Sequence, residues 1–224
     1  MTLDTAHKPL EILPGVRLWT EYLDCVAQTE LAGEVLRLER EAPFYRPLMP
    51  VSGKPFSVQE TNFGPLGWVS DMDGYRYADT HPVTGRPWPP MPPVLFALWD
   101  ALAGHAQEPE CCLVNLYRAG ARMGLHQDRD ETALDAPVLS VSLGDDALFR
   151  IGGASRRGPT RSVWLRSGDI VVFGGPARLA FHGIDRVAEG TSFLLTGGGR
   201  INLTLRRVTQ PDTGRHKKDA RPGG

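Results

Sequence analysis

Apolar residues recur along the C-terminal half of the chain in short, regularly interrupted runs. Cys111–Tyr117, Val138–Leu143, Ala147–Ile151, Ser162–Leu165, Asp169–Phe173, Phe193–Leu195 and Ile201–Arg206 each have strand character, and Gly or Pro punctuates the intervals. Such a series predicts an all-β sandwich or barrel. The N-terminal half is patterned differently. Leu10–Thr20 reads as a strand broken at Pro14-Gly15, a turn pair. Asp24 caps a predicted helix running to about Arg40, with Val26, Leu31, Val35, Leu36 and Leu38 on its apolar face. A second helix is predicted over Val94–Ala106, entered through Pro92-Pro93. Between the helices, residues 42–93 are rich in Pro, Gly, Trp and Tyr, with only short strand-like pieces such as Phe56–Glu60. A stretch of this kind inside a domain is usually a lid or a binding surface. Residues 1–9 are expected to fray, and 209–224 to form a disordered basic tail. The expected architecture is mainly β with α (α+β): one domain over residues 10–208, a C-terminal β-sandwich with two helices and an aromatic-rich layer.

Composition narrows the partners. The 25 Lys and Arg nearly balance the 26 Asp and Glu, so a nucleic acid would have to meet a local basic patch rather than bulk charge. Cys25, Cys111 and Cys112 are an odd set that builds no disulfide framework; they read as buried thiols in a reducing compartment. No run approaches the roughly 20 apolar residues of a membrane span. The first residues carry acidic side chains where a secretory signal has an apolar core. A cytoplasmic monomer, away from membranes, is the expectation.

The candidate chemistry centres on Leu125-His126-Gln127-Asp128, which follows the run Leu113–Tyr117 and a glycine-containing turn. Residues i and i+2 of an extended segment point the same way, so His126 and Asp128 can reach one metal together. His182 lies later, between two strand-like runs. Two imidazoles and one carboxylate on one side of a metal leave the opposite positions open, which suits non-haem iron(II). Alone, His-x-Asp describes a surface histidine beside a solvated aspartate equally well.

The strand after it adds a second signal. Arg200, Asn202, Thr204 and Arg206 share one face, and Ile201, Leu203 and Leu205 the other. Either the polar face lies in water at a sheet edge, or it holds a ligand. Two arginines flanking an amide suit a dicarboxylate, because the planar guanidinium meets a carboxylate bidentately. Asn115 and Tyr117 share a face of their own strand and offer an amide and a phenol to the same ligand. Tyr117 also reads as a core tyrosine.

Together these residues resemble a known family. Asn115-x-Tyr117, Leu125–Asp128, SVSLG (140–144), VVFGG (171–175), FHGI (181–184) and Arg200-x-Asn202-Leu203-Thr204-x-Arg206 match the AlkB family of iron(II)/2-oxoglutarate dioxygenases. The resemblance continues through TNFGPLGW (61–68), GYRY (74–77) and RPWPPMP (86–92), covers roughly residues 10–207, and is strongest to the bacterial DNA-repair branch. It implies a double-stranded β-helix (jelly-roll, cupin-like) core, with residues 42–93 as a nucleotide-recognition lid. It implies His126, Asp128 and His182 as ligands of Fe(II), and Asn115, Tyr117, Arg200, Asn202 and Arg206 as contacts of 2-oxoglutarate, with O2 as the third reactant. Trp68, Tyr75, Arg76, Tyr77, Asp130 and Arg156 fall where the family holds an alkylated nucleotide, with His182 and Trp68 on the two faces of the base.

The implied reaction is oxidative demethylation of bases such as 1-methyladenine and 3-methylcytosine in single- or double-stranded DNA, with RNA as a further substrate. It couples conversion of 2-oxoglutarate to succinate and CO2 with release of formaldehyde. Such bases are cationic, and Asp130, beside the metal motif, offers a carboxylate that favours them over undamaged ones. Two departures stand out: Phe173 occupies a position where Trp is expected, and Arg76 replaces an apolar residue. Two rival readings remain open here. One is the same chemistry on modified tRNA, a protein or a small molecule; the other is a β-sandwich that binds nucleic acid without catalysis.

Overall fold

The computed structural model describes residues 8–210, so residues 1–7 and 211–224 of the expected frayed start and basic tail lie outside the described residues. The chain opens with a hairpin of β1 (Leu10–Leu13) and β2 (Val16–Trp19), turned by Pro14-Gly15. Gly15 has φ 86°, and a Cβ there would lie 2.5 Å from the Gly174 carbonyl oxygen, so the turn requires glycine. Asp24 caps α1 (Cys25–Leu38) by accepting a hydrogen bond from Ala27 N at 2.8 Å. The buried face of α1 is Ala27, Leu31, Ala32, Val35 and Leu38, a correction to the expected one. Val26 and Leu36 are 66% and 42% exposed, because the 3.6-residue period turns them away from the sheet. Cys25, also expected inside, is exposed, whereas Cys111 and Cys112 are buried.

The stretch 42–93 divides into unlike pieces. Strand β3 (Gln59–Phe63) is an integral part of the larger sheet, and β4 (Gly67–Asp71) with β5 (Gly74–Ala78) forms a separate hairpin. Helix α2 (Pro93–Leu102) begins with proline, whose missing N–H is unneeded in a first turn. It stops short of Ala106, since Gly104 takes the left-handed conformation (φ 67°) that ends helices.

The remaining strands are β6 (Cys111–Tyr117), β7 (Met123–His126), β8 (Val138–Gly144), β9 (Asp146–Gly152), β10 (Thr160–Leu165), β11 (Ile170–Phe173), β12 (His182–Ala188) and β13 (Arg200–Arg206). They pair antiparallel in two sheets, ordered β1-β2-β11-β8-β13-β6-β3 and β10-β9-β12-β7. One apolar layer fills the space between the sheets, with Val138, Val171 and Phe173 from the larger meeting Phe149, Ile151 and Ile184 from the smaller. Both helices cover the outer face of the larger sheet, where Leu31, Leu98 and Trp99 join Ile201, Leu203 and Leu205. Two antiparallel sheets closed face to face form the jelly roll that the sequence implied. The run Phe193–Leu195, expected as a strand, is a loop. Leu195 is buried and Phe193 is 99% exposed, and Gly197, Gly198 and Gly199 all take positive φ, which breaks any ladder. No helix among the described residues is long and apolar enough to cross a membrane.

Candidate active site

Strand β12 pairs with β7 so that His182 lies directly opposite His126. The two imidazoles come from one rung of the ladder, with ring centroids 4.4 Å apart. Asp128 follows two residues after His126. Its Oδ1 lies 3.6 Å from His126 Nε2 and 3.9 Å from His182 Nε2. Each Nδ1 is occupied locally, that of His126 by the Gly124 carbonyl and that of His182 by the Ala180 carbonyl, both at 3.0 Å. With Nδ1 donating its proton, each Nε2 keeps a lone pair aimed at a common point. Burial and the neighbouring His126 lower His182 to about 4, so it is neutral at physiological pH. Phe173 packs on its ring at 4.7 Å, so the aromatic wall expected there is present in smaller form.

Asp128 is held from behind. Its Oδ2 accepts from Arg206 Nε at 3.0 Å and Nη2 at 2.9 Å, leaving Oδ1 facing the imidazoles. Burial alone would raise the Asp128 carboxyl, but Arg206, His182, His126 and Arg178 together hold it well below the usual carboxylate range. The support extends further. Glu131 accepts from Tyr77 Oη at 2.5 Å and from Arg178 Nη2 at 3.0 Å, while Arg178 also donates to the carbonyls of Asp128 and Ala136. Arg178 and Glu131 are buried, so each charge relies on the other.

The three groups open onto a cavity of about 530 Å³. Arg200, fully buried, lines its far part. Its Nη2 donates to Ser142 Oγ at 2.6 Å and Nη1 contacts only backbone carbonyls, while Nε has no partner. No acidic side chain among the described residues forms an ion pair with Arg200. Burial draws its pKa down to about 10, so the guanidinium still carries its charge near neutrality. A buried cation in a cavity without a counter-ion is a seat for an anion.

Known proteins share this layout. The 2OG-Fe(II) oxygenase superfamily model matches residues 15–206. The chain is 58% identical over 208 residues to the "Alpha-ketoglutarate-dependent dioxygenase AlkB homolog" of Caulobacter vibrioides, covering 92% of this chain and 93% of the relative. This chain belongs to the AlkB family of 2OG-Fe(II) oxygenases. The AlkB dioxygenase of Escherichia coli is 40% identical over 186 residues, covering 81% of this oxygenase and 85% of that protein. The solved structure of OsALKBH1 superposes with a TM-score of 0.77 at 32% identity, covering 89% of this oxygenase and 99% of that chain. Some relatives are named for a substrate. One is a DNA N(6)-methyladenine demethylase of Arabidopsis thaliana, 30% identical with 49% of its length covered. Another is a tRNA demethylase of Schizosaccharomyces pombe, 27% identical with 57% covered.

The oxygenase works with Fe(II), 2-oxoglutarate and O2, and its own atoms fit those groups. Two imidazole nitrogens and one carboxylate oxygen, all within 4.8 Å of one another, form a three-sided donor set of the kind iron(II) takes. The unpaired guanidinium of Arg200 fits the far carboxylate of 2-oxoglutarate. The other cosubstrate candidates also line the cavity, in different states. Asn115 Oδ1 has no partner, and the Tyr117 hydroxyl has only Met123 Sδ at 3.8 Å. Asn202 is engaged within the sheet, donating to Ser140 Oγ at 2.7 Å and the Val141 carbonyl at 3.1 Å and accepting from Thr204.

On the substrate side, Trp68, Tyr75, Asp130 and Arg156 line the same cavity. Trp68 stacks on Tyr75 with centroids 5.4 Å apart, and its Nε1 donates to Asp130 Oδ2 at 2.8 Å. Arg76 and Tyr77 lie outside the lining. The Arg76 guanidinium forks onto Asp71 across the hairpin at 2.8 and 2.6 Å, and Tyr77 is a half-buried donor to Glu131. Sequence reasoning missed Arg178 and Glu60 altogether.

Proposed function

We propose that this oxygenase removes N-methyl groups from the bases of nucleic acid, with 1-methyladenine and 3-methylcytosine in DNA as the lesions its cavity suits. The observation that carries the reading is Asp130, fixed by Trp68 Nε1 in the same cavity as the metal-ligand triad. A flipped base stacks on an aromatic platform while its edge is read, and a carboxylate at that edge prefers a cationic methylated ring to a neutral one. The Trp68–Tyr75 pair supplies the platform, and the His182 ring supplies the opposing wall. Arg156, at the cavity rim, meets a phosphate of the flanking strand.

Bound by His126, Asp128 and His182, iron(II) with 2-oxoglutarate and dioxygen supplies the oxidation that hydroxylates the methyl group, giving succinate and CO2, after which formaldehyde leaves the base. The protein's part is to hold and orient. Arg200 binds the distant carboxylate of 2-oxoglutarate, and Asn115 and Tyr117 donate to it from β6. Arg206 fixes Asp128 and adds positive charge at the near end. Phe173 and Phe149 beside His182 keep water from the reacting methyl group. The relatives named for DNA and for tRNA place both polymers in the test.

The test is a turnover panel with the iron-loaded protein on oligonucleotides carrying 1-methyladenine or 3-methylcytosine, as DNA and as RNA. Equal formaldehyde and succinate from the DNA substrates is the expected result. Succinate without formaldehyde from any of them would refute the proposal, and preference for RNA would redirect it to that polymer.

A further inference from the structure

A fully buried carboxylate lines the active cavity and takes no part in the reading so far. Glu60, on β3, is 0% exposed, and neither of its oxygens has a hydrogen-bond partner among the described residues. Its neighbour across the ladder is Asn115, directly opposite in the β3–β6 register. Both side chains line the same cavity, so they share a face, where Cβ atoms of opposed residues stand about 4.5–5.5 Å apart. Asn115 Oδ1 is likewise buried without a partner. Two unpaired acceptors on opposed residues are resolved by one proton between them.

We infer that Glu60 is a positioning residue: as a neutral acid it donates a hydrogen bond to Asn115 Oδ1 and so turns the Asn115 amide to present its NH2 group to 2-oxoglutarate. This rests on the reading of Asn115 as a cosubstrate contact. The charge state fits, because burial pushes the Glu60 carboxyl up to about 8. Arg206, the one cation acting against that shift, is committed to Asp128 and Glu131. The next residue along the rung makes the need plain. Asn202 is opposite Asn115, and its amide is locked by Ser140, Val141 and Thr204. Among the described residues no hydrogen bond holds the Asn115 oxygen, and Glu60 is the residue opposite it on the other side. Tyr45, whose backbone bridges that of Glu60 from the other side, also has an unpaired hydroxyl, but its ring packs on His81 in a cluster outside the cavity lining. A carboxylate ligand accepts only, so an unlocked amide that turns its oxygen inward repels it.

The experiment measures 2-oxoglutarate binding by calorimetric titration under nitrogen into the iron(II)-loaded protein, which reads affinity without turnover, together with steady-state KM values. Glu60→Leu should weaken 2-oxoglutarate binding roughly tenfold. Its KM for the methylated oligonucleotide should stay within about twofold of wild type. Glu60→Gln, whose amide N–H donates to the same Oδ1, should bind 2-oxoglutarate like wild type. The infrared carbonyl band of a protonated carboxylic acid should vanish in Glu60→Gln. Asn115→Ala separates the two layers of the argument, since it must weaken 2-oxoglutarate binding if Asn115 is a contact at all. Loss in Asn115→Ala with no loss in Glu60→Leu overturns the positioning role alone; no loss in Asn115→Ala overturns the contact and the inference together. A change confined to the oligonucleotide KM also overturns it, and assigns Glu60 to the base instead.

Discussion

Strand β13 and the β4–β5 hairpin line one cavity and are built on different terms. On β13, Arg200 is 0% and Arg206 5% exposed, and each polar side chain of the inner face is held by neighbours on β8, β7's following turn or the strand itself. On the hairpin, Tyr75 is 53% exposed and Arg76 pairs with Asp71 at the surface, where an ion pair adds little. The first arrangement is costly unless it always meets the same ligand, because buried charge demands a counter-charge of fixed shape. The second tolerates variety. The β13 side of the cavity is set for an invariant cosubstrate, and the hairpin side adapts to a substrate that arrives on a polymer.

Substitutions can break that contrast. The largest effect belongs to Arg206→Ala, which leaves Asp128 and Glu131 without their shared cation and should cost about 3–5 kcal/mol of stability, read in urea unfolding. Next, Arg200→Ala should raise the KM for 2-oxoglutarate about 100-fold, by loss of two charge-assisted bonds, with little change in the KM for the oligonucleotide. Equal changes in both constants would erase the division of labour.

A pH experiment probes the buried side from another direction. A glutamate ionises near 4.5 when unfolded, and Glu60 near 8 when folded. Between those values the folded chain holds the extra proton, so the stability tied to Glu60 is present below pH 4.5 and is lost as pH rises through 8. Glu60→Gln does not titrate. Its stability relative to wild type should therefore increase by about 3.5 kcal/mol from pH 5 to pH 8, measured by urea unfolding at each pH.

The hairpin's variants should be milder. Tyr75→Ala should raise the oligonucleotide KM about tenfold, in line with the loss of one stacking surface, and leave 2-oxoglutarate untouched. Arg76→Ala should move neither constant more than about twofold, because its guanidinium is spent on Asp71. A large Arg76→Ala effect on the oligonucleotide would mean that the polymer pulls that ion pair apart.

The same contrast governs how much of the molecule was legible from the chain alone. Strands β6 and β13 follow from their composition, since CCLVNLY is apolar throughout and RINLTLR alternates between a helix-covered and a cavity face. Strands β7 and β12 escaped notice, although they carry both histidines. MGLH and HGIDRVA hold glycine and polar residues where a strand usually shows apolar ones, because those positions serve the site and not the core. The motif spacing suggested that His126, Asp128 and His182 belong together, but only the β7–β12 register explains how they meet. Glu60 and Arg178 were invisible for the opposite reason: a charged residue reads as solvent-facing until its burial is known. The glycine run after Leu195 likewise carried more weight than the three apolar residues before it.

The triad's claim to the chemistry is tested most directly by formaldehyde and succinate release from a 1-methyladenine DNA oligonucleotide, with wild-type protein and Asp128→Ala run side by side. Wild type should release the two products one for one, and Asp128→Ala, keeping its fold by circular dichroism, should release neither. Formaldehyde from Asp128→Ala at the wild-type rate would contradict the triad's claim.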